Sequence, residues 1–415
     1  MSDFQQWTFE ASRCLNCPTQ PCVAACPAHN PIPEFMIKIK QSDFWGAWRL
    51  WQQTSNLPEL CGLLCPQEIL CEGHCTLNKA KRPVQIGQLE HAIGTMFLID
   101  ETRPRPILSQ RHLVIGLGPA GIANALKMAE FGYQVHAIEA DRRLGGAIYH
   151  YVPNFRFSEA ELDIYDARLR ALGVQITYDT IVGQDVMLDS LLNMYDSVFI
   201  ANGLDQPIQV PFNQDGLKVH YAIDLLHKQR VSQDTLRHSL GKRVGIIGLG
   251  FVAIDMARTL VRLDKRVEII YRRNLNEAPA SEKEITAAQE EGVIIHELLG
   301  PVAFCRGHGS NQLECVRTRL VQDGPDERSR IETIPGATVT FELDDLIFAT
   351  GQMSEDLCLH QTSIKIPTTP DHTRTNHEKV FVGGDRIITH KRIVDAMVSG
   401  IETAERIHEW LQKKR

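Results

Sequence analysis

Eight of the eleven cysteines stand before residue 76, in two groups. Cys14, Cys17, Cys22 and Cys26 fall within "RCLNCPTQPCVAACPAHNP" (13–31), and Cys61, Cys65, Cys71 and Cys75 within "ELCGLLCPQEILCEGHC" (59–75). Thiols this dense serve disulfides, a zinc site or iron–sulfur ligation. "MSDFQQWTFEASR" lacks the charged segment and apolar run of a secretory signal, so the cytoplasm is the expected compartment and disulfides are disfavoured there. Structural zinc favours paired C-x2-C knuckles, a pairing only Cys14 and Cys17 show. The first group reads C-x2-C-x4-C-x3-C and the second C-x3-C-x5-C-x3-C, with Cys26-Pro27 and Cys65-Pro66 matching the Cys-Pro ending of ferredoxin-type cysteine runs. The spacing therefore points to two 4Fe-4S clusters.

A second chemistry sits in two glycine turns. "RHLVIGLGPAGIANALKMAEFGYQVHAIEA" begins at Arg111, and "KRVGIIGLGFVAIDMARTLVRLDKRVEIIYRR" begins at Lys242. They align without a gap, Gly116 on Gly248, Gly118 on Gly250, Gly121 on Ala253 and Ile138 on Ile270. Each is the fingerprint of a dinucleotide fold: a tight turn, close backbone approach to a pyrophosphate, and a small residue where helix packs on strand. The turns Gly116, Gly118, Pro119, Ala120, Gly121 and Gly248, Gly250, Phe251, Val252, Ala253 open helices whose N-termini favour phosphate. The copies differ at the end of the second strand. Glu139 suits a ribose hydroxyl, so the first site expects FAD or NAD. Arg272 and Arg273, past Tyr271, suit a 2′-phosphate, so the second expects NADP.

The elements that must position these groups follow. "IPEFMIKIKQSDFWGAWRLWQQTSNLP" has apolar residues at helical spacing, with Trp45, Trp48 and Trp51 as a core stripe. "DETRPRPILSQ" reads as a linker ending the cysteine-bearing domain. "DSVFIANGL" (196–204) and "DDLIFATGQ" (344–352) are apolar strands ending in small-residue turns. "EKVFVGGDRI" (378–387) ends a strand in Gly383-Gly384-Asp385 before a long helix. The expected fold is α/β: a helical iron–sulfur domain at 1–103, a split FAD domain at 104–219 and 346–415, and an inserted NAD(P)H domain at 220–345. A net charge of −7 offers no general field for nucleic acid, and no apolar run is long enough to span a membrane.

Together with both cysteine groups, the stretches "IGQLEHA", "GLGPAG", "LGG", "PNFRF", "GLGFVAIDMARTL", "YRR", "APASEKE", "ATGQ" and "GGD" resemble a known family over essentially the whole chain. It comprises the small subunit of bacterial glutamate synthase, the N-terminal half of dihydropyrimidine dehydrogenase and the small subunit of its two-subunit bacterial form. The compact length and "PASEKE" look closer to the last. The resemblance implies one cluster on Cys14, Cys17, Cys22 and Cys75. It implies a second on Cys26, Cys65 and Cys71 with a non-cysteine ligand, at the place where dihydropyrimidine dehydrogenase has glutamine and this chain has Glu90. Cys61 is the alternative to Glu90. It further implies flavin contacts at Gly146, Arg156, Val182, Gly203, Gly384, Asp385 and Ile393, and nucleotide contacts at Ala349, Thr350 and Gly351. "YVPNFRF" keeps Arg156 but lacks the glycine of the family's usual "GIPxFR".

The implied function is NAD(P)H-dependent oxidoreduction, electrons passing from NADPH (or NADH) through FAD and the clusters to a larger catalytic subunit in an oligomeric complex. Cofactors then carry the chemistry, and no side chain is nominated as catalytic. Cys305, Cys315 and Cys358 stand apart and read as structural thiols. Two other classes compete: a self-contained NADPH oxidoreductase reducing a small molecule at its flavin, which needs no clusters, and a non-enzymatic redox sensor, which does not need paired nucleotide sites.

Overall fold

"HLVI" (112–115) and "VGII" (244–247) are apolar with little alternation, as expected of strands covered on both faces, and both become inner strands of parallel sheets. The computed structural model describes residues 3–99, 107–307, 309–322, 329–360, 362–367 and 373–414. The linker expected at 100–110 lies, through residue 106, outside them. In chain order come helices α1 (Asp3–Ser12), α2 (Ile32–Lys40), α3 (Phe44–Trp51), α4 (Pro58–Leu64) and α5 (Ile86–Gly94). Then follow β1 (Arg111–Ile115), α6 (Pro119–Glu130), β2 (Gln134–Ile138), α7 (Ala160–Ala171), β3 (Gln175–Thr177) and β4 (Ser197–Ile200). Next are β5 (His220–Tyr221), β6 (Arg243–Ile247), α8 (Phe251–Arg262), β7 (Arg266–Ile270), α9 (Glu282–Glu290) and β8 (Ile294–His296). The last are β9 (Leu299–Arg306), β10 (Asn311–Val321), β11 (Arg330–Leu343), β12 (Asp345–Phe348), β13 (Val380–Val382) and α10 (Ile393–Lys413).

The chain divides into two compact units, one of residues up to 149, 155–204 and 354–415, the other of 150–154 and 205–353. The first holds a parallel sheet in the order β13-β4-β1-β2-β3, with Ile115 opposite Ile138 and Ile200. The second, β5-β12-β6-β7-β8, repeats the order of the other four strands but has as its outer strand β5, the first of that sheet along the chain rather than the last, with Ile247 opposite Ile270 and Phe348, and adds the antiparallel sheet β9-β10-β11. In each parallel sheet the glycine-turn strand lies between its sequence successor and a strand that arrives much later. That is a topological switch point, where the carboxyl ends of neighbouring strands leave a crevice. The α/β architecture read from the sequence is present, with its helical N-terminal segment and two dinucleotide-type sheets.

In the first unit the cysteine-bearing helices pack on the flavin-type fold through buried polar contacts. Glu59 at the start of α4 is fully buried and meets Arg168 of α7, Nη2 to Oε1 at 2.6 Å. Tyr165 donates its hydroxyl to the same carboxylate, and Arg168 also donates to the Leu98 carbonyl at 2.6 Å. Asn56 donates to the Ala123 carbonyl at 2.9 Å. Such groups persist inside a protein only when each finds its partner. A second buried network ties β1 to α6 and α10. His112 Nε2 lies 2.8 Å from Asn124 Oδ1, and because Asn124 Nδ2 donates to the Gly400 carbonyl, that oxygen must accept. The imidazole is therefore the Nε2–H tautomer, and Nδ1 accepts from the Ser197 hydroxyl at 2.8 Å. The tryptophan stripe is buried at Trp48 and Trp51, while Trp45 is half-buried and stacked on Trp48.

Candidate functional site

The thiols gather in two places. Cys14 follows α1 directly, and left-handed turns at Asn16 and Gln20 swing Cys17 and Cys22 back toward it. Cys75 reaches the same place from the far end of the second group: the Cys14 thiol feels Cys75 and Cys17, and the Cys22 thiol feels Cys14 and Cys75. Cys17 Sγ lies 3.1 Å from Thr76 Oγ1. These four side chains are half-buried. Cys26, Cys61, Cys65, Cys71 and Glu90 line one enclosed pocket with Trp51. Among the described residues no three Cys, His, Asp or Glu side chains stand where a single metal ion would be held. A cubic cluster instead asks for donors spread around it.

The donor chemistry of the pocket fits such a group. Burial pushes the Cys26 thiol up to about 11 and Cys71 well above the usual thiol range. Burial, opposed by the Trp51 hydrogen bond, pushes Glu90 up to about 8, and Glu59 and Glu72 add to the rise. Four thiols and a carboxylate enclosed together must stay protonated unless positive charge enters, and iron supplies that charge. Cys26, Cys65, Cys71 and Glu90 are together, and Cys61 is beside them. Its thiol points to Met397 Sδ, 3.9 Å away on α10.

The first glycine turn makes a cradle at the β1/β4 switch point. Gly116 has φ +90°, and a Cβ there would sit 2.7 Å from the Ala201 carbonyl oxygen that follows β4. A Cβ on Gly146 would sit 2.9 Å from Gly118 Cα, so the two glycine segments meet backbone to backbone and leave the helix N-terminus open to a pyrophosphate. Pro119, Ala120 and Gly121 form the first turn of α6. Glu139, almost fully buried at the end of β2, accepts from Leu117 N at 2.5 Å and Asp141 N at 3.0 Å, which holds its carboxylate over the glycine turn. Gly203 follows β4 with φ +64° and open space where a side chain would point. Gly384 lies beside Ala120, Ile393 starts α10, and burial raises the Asp385 carboxyl. Val182 buries its side chain in the core with Leu113 and Ile138, so only its backbone can face a ligand. Arg156 lies half-buried in the segment between α6 and α7.

Sequence reasoning passed over Arg386 and Ser399. Arg386 ties the GGD turn to the loop after β4 through Asn202 Oδ1 at 3.1 Å, and Ser399 Oγ accepts from Gly384 N at 3.0 Å. The adjacent GGD motif was the available signal.

The second turn repeats the arrangement with Gly248 against the Ala349 carbonyl, where a Cβ would sit at 2.5 Å. Gly250 caps α8, Ala253 is buried, and Phe251 and Val252 are half-buried. Thr350 is exposed and Gly351 has φ +116°, closing the turn after β12. The two arginines separate. Arg272 is exposed, with no side-chain partner among the described residues. Arg273 is ion-paired to Glu277 and donates to the Ser329 carbonyl at 2.7 Å, while Glu277 also accepts from the Ser329 hydroxyl at 2.6 Å. No helix among the described residues is long and apolar enough to cross a membrane.

Residues 2–102 match the family described as dihydropyrimidine dehydrogenase domain II, 4Fe-4S cluster, and residues 110–406 match pyridine nucleotide-disulphide oxidoreductase. The glutamate synthase [NADPH] small chain of Escherichia coli K12 is 32% identical, covering 97% of this chain and 91% of its own. The NAD-dependent dihydropyrimidine dehydrogenase subunit PreT of the same organism is 31% identical, covering 97% and 94%. Among solved structures, Mycobacterium tuberculosis FprA in complex with NADPH shares the fold with a TM-score of 0.61 at 15% identity, over 73% of this chain and 85% of that one.

Proposed function

The chain belongs to the oxidoreductase family of the glutamate synthase small chain and the dihydropyrimidine dehydrogenase subunit PreT, and from that premise we propose that it is the electron-input component of a larger enzyme. It is an NAD(P)H oxidoreductase with a 4Fe-4S domain. In the reading proposed here it takes electrons from NADPH and delivers them to a catalytic partner subunit. The chemistry FAD would supply when bound is hydride acceptance and one-electron release, and two 4Fe-4S clusters would supply one-electron conduction toward the partner.

The protein's own residues bind and orient. The Gly118–Gly146 cradle and the start of α6 would hold a pyrophosphate, and Glu139 a ribose. The turn at Gly248 and Gly250, with Arg272, would hold the nicotinamide nucleotide. Cys14, Cys17, Cys22 and Cys75 would hold one cluster, and Cys26, Cys65, Cys71 and Glu90 the other. The observation that carries the reading is the contact between the second thiol group and α10, the helix that leaves the GGD turn. Val394 lines the thiol pocket, Cys61 meets Met397, and the charge of Asp395 reaches Cys65. One helix thus touches both the thiol pocket and the flavin-type turn. The half-buried first thiol group supports an outlet at the surface.

Anaerobic analysis of the purified chain should find FAD, acid-labile sulfide and about eight irons, as two four-iron clusters require. NADPH should reduce an artificial one-electron acceptor, and a native purification should bring down a companion chain. Stoichiometric zinc without sulfide would overturn the cluster assignment. Undiminished reduction of the physiological acceptor after both clusters are removed would overturn the electron-input reading and leave a self-contained oxidoreductase.

A further inference from the structure

Glu90 on α5 is 5% exposed and lines the pocket that holds the second thiol group. Its Oε1 accepts the Trp51 indole N–H at 2.9 Å, and Oε2 has no hydrogen-bond partner among the described residues. Trp51 is 2% exposed, and its ring packs on Phe35 with centroids 4.2 Å apart, so the indole has little room to turn. An indole N–H is a donor only and carries no charge, so it can orient a carboxylate but not neutralise it. A buried carboxylate with one oxygen tied and the other facing thiols is costly unless that second oxygen meets positive charge. The rival donor Cys61 lines the same pocket, its thiol hydrogen-bonded with Cys65 and lying 3.9 Å from Met397 Sδ.

We propose that Trp51 is a positioning residue for the second cluster: its N–H occupies Glu90 Oε1, so that Glu90 ligates iron through Oε2 alone. This rests on the cluster reading of the pocket. The indole hydrogen bond draws electron density from the carboxylate and so weakens its donation to the metal. Partners of this kind tune ligand strength and, through it, reduction potential. Removing the N–H should therefore lower the midpoint potential of one cluster and leave the other unchanged.

The experiment uses the anaerobically purified holoprotein with Trp51 replaced by benzothienylalanine, which keeps the ring shape and drops the N–H, and with Trp51→Phe as the second variant. Iron content, the electron paramagnetic resonance of the reduced clusters and both midpoint potentials are read. The expected result is full iron content, a shifted signal and a lower potential for one cluster, and an unchanged second cluster. Combining either variant with Glu90→Ala should add no shift beyond that of Glu90→Ala alone. A purely structural tryptophan would lower iron content or thermal stability without moving the potential of the clusters retained, and that outcome overturns the proposal. Glu90→Ala separates the two levels. If it leaves both cluster signals intact, the ligand reading itself fails. If it perturbs one signal while the benzothienylalanine variant perturbs none, the ligand stands and the role of Trp51 falls.

Discussion

Changing Arg272 to Gln should cost NADPH binding far more than NADH binding, whereas changing Arg273 to Gln should weaken both alike. The reason is the different engagement of the two guanidiniums. Arg272 is exposed at the end of β7, the position from which a fork of N–H donors can take a 2′-phosphate. Arg273 is held through Nη1, which meets Glu277 and the Ser329 carbonyl, so it shapes the turn. A hydrogen bond to a charged group contributes roughly 1.5–3 kcal/mol. At tenfold for each 1.4 kcal/mol, one such contact is worth about tenfold to a hundredfold in dissociation constant. Because Arg272 is exposed, solvent and salt screen it, and the low end of that range is expected at physiological ionic strength. Calorimetric titration of 2′,5′-ADP against 5′-ADP isolates the phosphate contribution without turnover, and the KM values for NADPH and NADH provide the second readout. The selective loss should shrink as salt is raised. Equal losses for both nucleotides in Arg272→Gln, or a selective loss in Arg273→Gln, would refute the division of labour.

Arg168→Met leaves Glu59 buried without its cation, a change that typically costs about 3–5 kcal/mol and should lower the midpoint of thermal bleaching of the clusters by roughly 6–20 °C. Adding Glu59→Gln should recover much of the loss, and a single variant as stable as the parent would mean the pair contributes nothing. His112 is neutral in the fold because burial lowers it from 6.5 to about 4. The unfolded chain thus binds a proton that the folded chain refuses. The stability this imidazole contributes is complete above pH 6.5 and is lost as pH falls toward 4, by roughly 3 kcal/mol at about 1.36 kcal/mol per unit. His112→Gln should flatten that part of the stability curve, as read by denaturant midpoints between pH 4 and 7, and an unchanged slope would count against the assignment.

Much of the architecture is local physics and was open to reading. A glycine turn between an apolar strand and a helix states its purpose within a few residues, since Gly116 and Gly248 adopt φ angles of +90° and +116° that side chains avoid. The gapless alignment of the two copies then announces two similar sheets, and four strands of each follow the same order, only the outer fifth strand differing in its place along the chain. Cysteine spacing carried the cluster chemistry for a similar reason: residues that share one polynuclear group from one segment must lie near each other along the chain.

Contacts across the sequence were closed to that reading. Nothing near Cys22 says that Cys75 will stand beside it, and only family resemblance suggested the grouping. "YRR" looks like a pair of equals until Ser329, 56 residues on, joins the neighbouring Glu277 and takes one of them. The tryptophan stripe read as core, and Trp48 is core, but Trp51 also donates to a carboxylate on a helix that begins 35 residues later. Composition, turns, strand polarity and the kind of cofactor were determined by the sequence alone, because backbone sterics and short-range ligand spacing act within a segment. The company each charged or polar side chain keeps was decided only by the tertiary structure, because burial makes every such group find a partner and the partners come from distant parts of the chain.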